Sequence, residues 1–472
     1  MSRQFVRLRA ICAVRFVRIA AACHSCPMWQ TVELPLWLFV LIVLFAAVTF
    51  ASHFLFPSVR WFFRRRLERA VARLNERLSV PIEPFKLARR HDMIQRILYD
   101  PEVTEAIVEH ARNEHVREDV AFEKARRYAR EIVPSFSAFA YFGFGIRVAR
   151  WLATQLYEVR TGVDNMERIK SIPEGSTVIF VMNHRSNMDY VLVTYLAARA
   201  SALSYAVGEW ARVWPLSRLI KSMGAYFIRR KSRGALYRKV LAKYVELATM
   251  GGVTQAIFPE GGLSLDGNLA RPKLGLLAYV VDAYQKCGRD VAFVPVAIAY
   301  DRVLEDRVLV AAHTAGNRRF RARMSVVAGF ILRKLWLRIT GRFLRFGGAG
   351  VVFGAPTYLS SFGERPDPEE LAEHLMQRIS TEMPLMGVTY VARTLLDAEG
   401  AISQAGLKQG LEAAIEASPR LIERPDMDRV IQHMEQRGLI IAQKQGWAAN
   451  PAENDLLQFY ANAASHAASA KS

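Results

Sequence analysis

Residues 177–193 read Thr177-Val178-Ile179-Phe180-Val181-Met182-Asn183-His184-Arg185-Ser186-Asn187-Met188-Asp189-Tyr190-Val191-Leu192-Val193. The first six residues are uncharged and almost wholly apolar, the pattern of a strand buried on both faces, and such strands belong to parallel or mixed sheets covered by helices. A polar turn follows, and apolar residues then resume. Ser186-x-x-Asp189 ahead of Tyr190-Val191-Leu192-Val193 is a capping box, which sets the start of a helix. Similar β-rich runs recur at Ser204 to Val207, Ala225 to Ile228, Thr254 to Phe258 and Val291 to Ala299, separated by helical stretches. This alternation predicts an α/β domain over residues 171–360, with its chemistry in loops at strand ends.

The turn itself carries the first candidate chemistry. His184 and Asp189 are five residues apart, about 140° round one helix, so they meet only if His184 lies in the turn and Asp189 in the first helical turn. In that arrangement the carboxylate fixes one imidazole nitrogen and leaves the other free as a base toward a hydroxyl. The cap alone explains Ser186 and Asp189 but not His184. Two further stretches could bind an anionic ligand. Phe258-Pro259-Glu260-Gly261-Gly262 ends a β-run in two glycines that permit a tight turn, and Gly224-Ala225-Tyr226-Phe227-Ile228-Arg229-Arg230-Lys231 runs a strand into three cations suited to gripping a phosphate. Alone, the first reads as an ordinary turn and the second as a solvated loop.

Other chemistries fail on spacing. Gly262-Leu263-Ser264-Leu265-Asp266 has Asp266 where a nucleophile elbow needs Gly. Gly143-Phe144-Gly145 lacks the third glycine of a dinucleotide fingerprint, and neither a P-loop nor H-E-x-x-H occurs. Cys23-His24-Ser25-Cys26 has no second ligand pair, so no metal is expected, and four cysteines are too few for a disulfide framework in 472 residues.

Composition bounds the partner. Lys and Arg total 64 against 44 Asp and Glu, a net charge of +20, with 51% hydrophobic and 11% aromatic residues. A disordered basic tail is excluded, and the partner is expected to be anionic: nucleic acid, a membrane surface or a phosphorylated small molecule. Residues 1–33 form a basic leader, in which Met28 is an alternative start. Residues 34–56 contain no charged side chain and are long enough to span a bilayer. Arg60, Arg64, Arg65, Arg66 and Arg69 follow, placing the rest of the chain on the cytoplasmic face of a single-pass anchor.

Residues 60–170 read as helical throughout. Within them Phe136, Phe139, Tyr141, Phe142 and Phe144, then Arg147, Arg150 and Trp151, suit either a membrane interface or a buried helix. No acid lies between Asp306 and Glu364. In Leu332 to Phe346, Leu332, Leu335, Trp336, Ile339, Phe343 and Phe346 share one helical face opposite Arg333, Lys334, Arg338, Arg342 and Arg345, the pattern of an interfacial helix on anionic lipid. Residues 366–472 are mainly helical, broken near Arg437-Gly438-Leu439-Ile440-Ile441, and carry no identifiable chemistry.

The order of these stretches is more specific than any one of them. His184-x4-Asp189, Gly224 to Arg230, Phe258-Pro259-Glu260-Gly261 and Val294-Pro295-Val296 before Tyr300-Asp301-Arg302-Val303 together resemble the four-block signature of glycerolipid acyltransferases. The closest resemblance is to the membrane-bound glycerol-3-phosphate acyltransferases, through His184-Arg185-Ser186-x-Met188-Asp189-Tyr190 and Phe227-Ile228-Arg229-Arg230. The resemblance implies transfer of an acyl group from acyl-CoA or acyl carrier protein to the 1-hydroxyl of glycerol 3-phosphate. His184 would then be the base and Asp189 its orienter. Phe227, Ile228, Arg229, Arg230, Glu260, Gly261, Ser264 and Lys273 would form the acceptor site, with Pro295 supporting the pocket. Attack on a thioester needs a base and an oxyanion stabiliser but no metal or cofactor.

One departure is notable. Leu263 and Leu265 flank Ser264 where the family usually has arginines facing the acceptor phosphate, and Arg229, Arg230, Lys231, Arg271 and Lys273 are the cations that would compensate. The alternatives are a lysophospholipid or other lipid acceptor, or a non-catalytic membrane-binding protein of the same fold. Nucleic-acid binding is disfavoured because the basic residues lie beside apolar faces without a nucleic-acid module.

Overall fold

The computed structural model describes residues 16–17, 34–76, 78–87, 90–162, 165–198, 201–208, 216–229, 234–316, 345–417 and 424–463. The chain divides into two compact units, Met1–Leu74 and Asn75–Ser472. In the first, β1 (Phe16–Val17) pairs antiparallel with β2 (Leu34–Pro35). Helix α1 (Leu36–Asn75) begins with the apolar run, exposing Trp37, Leu41 and Phe45. Among the described residues no helix is long and apolar enough to cross a membrane. The side chains of residues 47, 48 and 50–56 of the expected span lie outside the described residues.

The second unit opens with α2 (Pro84–Leu87), α3 (Arg90–Leu98), α4 (Pro101–Asn113) and α5 (Glu118–Ile132). Helix α4 starts where Pro101 follows Asp100, whose carboxylate accepts from the Glu102 N–H at 3.1 Å, a cap with Pro pre-set for the first helical position. A π-helical turn over Phe139–Gly145 runs into α6 (Ile146–Leu156). The alternation that follows is β3 (Glu158–Thr161), α7 (Asn165–Lys170), β4 (Thr177–Met182), α8 (Met188–Ala197), β5 (Ser204–Val207), α9 (Leu216–Ser222), β6 (Tyr226–Phe227), α10 (Ala235–Met250), β7 (Gln255–Ile257), α11 (Gly275–Cys287), β8 (Val291–Tyr300), α12 (Asp306–Thr314), β9 (Gly348–Phe353) and β10 (Thr357–Tyr358). The chain ends with α13 (Pro368–Thr381), α14 (Gly387–Asp397), α15 (Gln404–Ala417), α16 (Met427–Gln436), the hairpin β11 (Ile440–Gln443) and β12 (Gly446–Ala449), and α17 (Asn454–Asn462).

The sheet order is β3-β9-β8-β4-β7-β5-β6, with β10 against β8. Pairing is parallel except that β8 runs antiparallel to β9 and β10. Strand β4 is buried along its whole length. Val178, Phe180 and Met182 enter a core with α6, α8, α14 and α17, while Ile179 and Val181 enter a second core with α3, α4, α5, α10, α11 and α13. Helices thus cover both faces, which is why the strand sequence is continuously apolar.

Two sequence expectations change here. Residues 60–170 are not wholly helical: Glu158-Val159-Arg160-Thr161 is an edge strand pairing parallel with β9. Its charged residues fit an edge and obscure the strand pattern. The interfacial helix expected over Leu332 to Phe346 lies outside the described residues up to 344, but Phe346 is 1% exposed and packs against Tyr157, with Arg302 4.6 Å from its ring centre. Phe346 therefore belongs to the core and not to a membrane-facing stripe. The aromatic run divides between its two readings: Tyr141 is buried and its hydroxyl accepts from the Leu203 N–H at 3.0 Å, whereas Phe139 is 83% exposed.

Candidate active site

Strand β4 ends at Met182, and Asn183 extends its pairing by side-chain mimicry. Its Nδ2 donates to the Ile298 carbonyl at 2.9 Å while its Oδ1 accepts from the Ile298 N–H at 2.8 Å. From there to Asp189 every backbone N–H has a partner. His184 N–H donates to Glu260 Oε1 at 2.8 Å. Arg185 and Ser186 N–H donate to Asp189 Oδ2 at 2.8 and 3.0 Å, and Asn187 N–H to Glu305 Oε1 at 3.3 Å. Met188 N–H donates to Ser186 Oγ at 3.1 Å, and Asp189 N–H to the Ser186 carbonyl at 3.0 Å. A buried turn has to satisfy these groups internally, and doing so fixes its shape. Half of the expected capping box is present as drawn: Asp189 accepts from Ser186 N–H, whereas the Ser186 hydroxyl takes the N–H of Met188.

His184 Nδ1 lies 2.9 Å from Asp189 Oδ2. The other carboxylate oxygen accepts from the Tyr300 hydroxyl at 2.6 Å. Asp189 is fully buried, so these donors replace the water that its charge would otherwise need. Burial first, then the Asp189 charge, holds the Tyr300 phenol well above its usual range, so it remains a donor. With the proton on Nδ1, the imidazole is held in the tautomer whose Nε2 lone pair is free. The ring stacks on Phe258, centroids 4.2 Å apart, and meets the edge of Tyr190 at 5.4 Å.

The remaining candidates fall into distinct places. Glu260 is 4% exposed and spends both oxygens on backbone, Oε1 on His184 N–H and Oε2 on Ala270 N–H at 2.9 Å. It thereby ties the His184 turn to the 260–270 loop, and burial pushes its carboxyl up. Gly261 has φ +65°, which favours glycine, and a Cβ there would come 2.7 Å from Lys273 Cδ, so the lysine side chain would have to shift to admit one. Lys273 N–H donates to the Pro259 carbonyl at 2.8 Å. Ser264 is buried and accepts from Gly267 N–H at 3.1 Å while donating to the Asn268 carbonyl at 2.8 Å, so it shapes the loop. Leu263 and Leu265 are partly buried against the same apolar core as Phe227 and Phe258. Ile228 packs on the opposite core. Arg229 is drawn away to α5, donating to both Glu131 oxygens at 2.9 and 2.6 Å between the rings of Tyr128 and Tyr237. Arg230 lies outside the described residues. Pro295 pairs opposite Val181 in mid-sheet, and its carbonyl accepts from Gly354 N–H at 2.7 Å.

Residues without an assigned role in the sequence reading complete the site. Glu305 is partly buried; it accepts from Ser186 Oγ at 2.7 Å and from Asn187 Nδ2 at 3.1 Å. Arg185, 2% exposed, donates through Nη1 to the Gly267 carbonyl. The C-terminal region, read from sequence as without chemistry, braces both sides. Asn462 Nδ2 donates to the Asp266 carbonyl at 2.7 Å, and Gly267 passes so close to α17 that a Cβ would lie 1.8 Å from the Phe459 carbonyl oxygen. The Tyr460 hydroxyl accepts from Val303 N–H at 3.1 Å and donates to Asp306, which also pairs with Arg437. Tyr300 and Arg185 had a local signal, standing in the fourth and first sequence blocks. Among the described residues no His, Cys, Asp and Glu cluster could hold a metal ion, and Cys23 and Cys26 lie outside them.

Residues 163–299, which contain β4 through most of β8, match the family model described as Acyltransferase. The chain is 30% identical over 292 residues to a glycerol-3-phosphate acyltransferase of Pseudomonas syringae pv. syringae, covering 60% of this chain and 34% of that protein. It is 32% identical over 332 residues to a glycerol-3-phosphate acyltransferase of Aeromonas hydrophila subsp. hydrophila, covering 66% and 40%. It thus spans roughly a third to two fifths of these relatives' length. The solved 1-acyl-sn-glycerophosphate (LPA) acyltransferase of Thermotoga maritima overlaps 51% of the chain and 75% of its own, at 21% identity and a TM-score of 0.32.

Proposed function

We propose, on the premise that this chain carries a glycerolipid acyltransferase domain of the glycerol-3-phosphate type at residues 163–299, that it acylates the 1-hydroxyl of glycerol 3-phosphate from acyl-CoA or acyl carrier protein. The observation that carries the reading is the His184 Nδ1 to Asp189 contact of 2.9 Å, which leaves Nε2 as the free base. In the reaction, Nε2 takes the hydroxyl proton as the oxygen attacks the thioester carbonyl. A C–O bond forms, the C–S bond breaks, and the departing thiolate takes the proton back from the imidazolium. Asp189 stabilises the imidazolium without being protonated itself. Because every backbone N–H from His184 to Asp189 is already committed, oxyanion donors have to be side chains, among them the Arg185 guanidinium whose Nε and Nη2 have no partner, or backbone groups beyond this turn.

The acceptor phosphate is assigned to Arg230, Arg271 and Lys273, since Arg229 is committed to Glu131. The positions of Leu263 and Leu265 on the apolar core support a second reading, a lipid acceptor with an apolar portion. Membrane association is part of the proposal, with the catalytic domain on the cytoplasmic side. The exposed apolar side chains of Trp37, Leu41 and Phe45 on α1, and of Phe139, Phe144 and Trp151, support it. Turnover of labelled acyl-CoA and acyl carrier protein against glycerol 3-phosphate and a lysophospholipid tests the assignment. Glycerol 3-phosphate should be the faster acceptor, and Arg230→Ala should raise its KM at least tenfold while leaving that of the donor unchanged. Brisk acylation of the lysolipid with none of glycerol 3-phosphate would decide for the second reading.

A further inference from the structure

At the opposite end of the parallel strands from His184 lies a cavity of about 250 Å³ lined in part by Phe85, Lys86, Arg90, Met93, Phe136, Ser204 and Val253. Ser204 opens β5 and Val253 precedes β7, so this is the N-terminal edge of the sheet. Two cations and three hydroxyls face the cavity, and no Asp or Glu lines it. Lys86 is 9% exposed. Its Nζ donates to the Ala202 carbonyl and lies 4.8 Å from the Phe136 ring centre. An ammonium has three protons to donate, and no carboxylate takes the others. Arg90 is aimed by the carbonyls of Val133, at 3.0 Å from Nε, and of Arg130, bound by Nη2.

An unpaired buried cation is costly, and proteins normally pair it. Here burial without a counter-charge pushes Lys86 down to about 7. The catalytic mechanism uses neither Lys86 nor Arg90. The rest of the lining combines the three hydroxyls with apolar side chains, Phe85, Met93, Val133, Phe136 and Val253 among them, so whatever supplies the missing charge can also carry an apolar body.

We propose that this cavity is a second, non-catalytic binding site for one small organic anion, a carboxylate or phosphate group on a short apolar body. The charged group lies on Lys86 and Arg90, and the body lies against Phe85, Met93 and Phe136. Occupancy has a route to the second sequence block, because Gly224, at φ +90°, is where Lys86 and Phe136 close on the backbone, at 3.5 and 3.1 Å from the position of a Cβ.

The test uses the purified full chain and its melting temperature during titration with butyl phosphate, butyrate, inorganic phosphate and, as the uncharged control, butanol. A saturable rise is expected with butyl phosphate or butyrate, with none from butanol. Inorganic phosphate should require at least tenfold higher concentration. The stronger of the two organic anions identifies the preferred headgroup. Lys86→Met should abolish the response while keeping acyl transfer and a ligand-free melting temperature at or above wild type. Should that variant fail to fold, Arg90→Gln should raise the half-saturating concentration at least tenfold, since a charged hydrogen bond contributes about that much. No saturable rise with either organic anion, or a rise unchanged by both substitutions, overturns the proposal. The unchanged rise would place the anion at the acceptor site instead. Acyl transfer by the wild-type protein is measured separately, so failure here leaves the catalytic assignment standing.

Discussion

The two ends of the sheet treat buried charge in opposite ways. Beyond the C-terminal end of β4, the carboxylates of Asp189, Glu260 and Glu305 are surrounded by nine donors, four of them backbone N–H groups from a single turn. At the N-terminal edge, Lys86 and Arg90 face a cavity with no carboxylate lining it. The contrast separates two uses of polarity. Saturating a charge with fixed donors gives a rigid arrangement whose geometry is set before substrate arrives. Leaving a charge under-partnered beside a cavity leaves binding energy to be supplied by a ligand.

If saturation orients the base, removing its centre should have the largest effect. Asp189→Asn loses the anion and turns an amide toward donors already in place. Acyl transfer should fall by about 10² to 10⁴, with a loss of thermal stability because buried donors are left unpaired. A kcat within threefold of wild type would break the comparison. Tyr300→Phe removes only the donor on Asp189 Oδ1. Its expected cost is roughly tenfold in kcat, about 1.4 kcal/mol, with acceptor and donor KM unchanged; a rise in KM alone would make Tyr300 a binding residue.

The smallest effect concerns Glu305. Burial raises its carboxyl above the ordinary glutamate value of 4.5, and the bonds from Ser186 and Asn187 only partly offset this. A raised pKa means that the folded state holds the proton more tightly than the unfolded chain does. The resulting stabilisation is complete below about pH 4.5 and is lost as pH rises through the folded value. Glu305→Gln lacks this dependence. Its melting temperature should therefore lie furthest below wild type in mild acid and close the gap toward neutral pH. A gap that widens with pH would show the opposite shift.

What could be read in the chain was local. The β4 run, the turn after it and the His184 and Asp189 pair lie within thirteen consecutive residues, and five of the sheet's strands follow the same texture. Less legible were elements whose residues are shaped by distant neighbours. Strand β3 carries charges because it is an edge, and β9 reads Gly-Ala-Gly-Val-Val-Phe, in which glycines mask the strand pattern. Arg229 looks like a phosphate ligand until Glu131, 98 positions earlier, comes beside it. Glu305 reaches Asn187 across 118 positions and Tyr300 reaches Asp189 across 111. Helix α17 has unremarkable composition, yet its Asn462 side chain and Phe459 backbone bound the loop that Glu260 ties to the turn. Side-chain contacts at such separations leave no periodicity in the sequence.

The central claim is that His184, held by Asp189, is the base for acyl transfer to glycerol 3-phosphate. Its most direct test is the rate at which labelled lysophosphatidate forms from acyl-CoA or acyl carrier protein and glycerol 3-phosphate, measured for wild type and His184→Ala at matched folded concentration. The account predicts steady product from the wild type and a rate reduced by about 10² to 10⁴ in the variant, with some loss of thermal stability because the buried Asp189 carboxylate loses a donor. Equal rates from both proteins would contradict it.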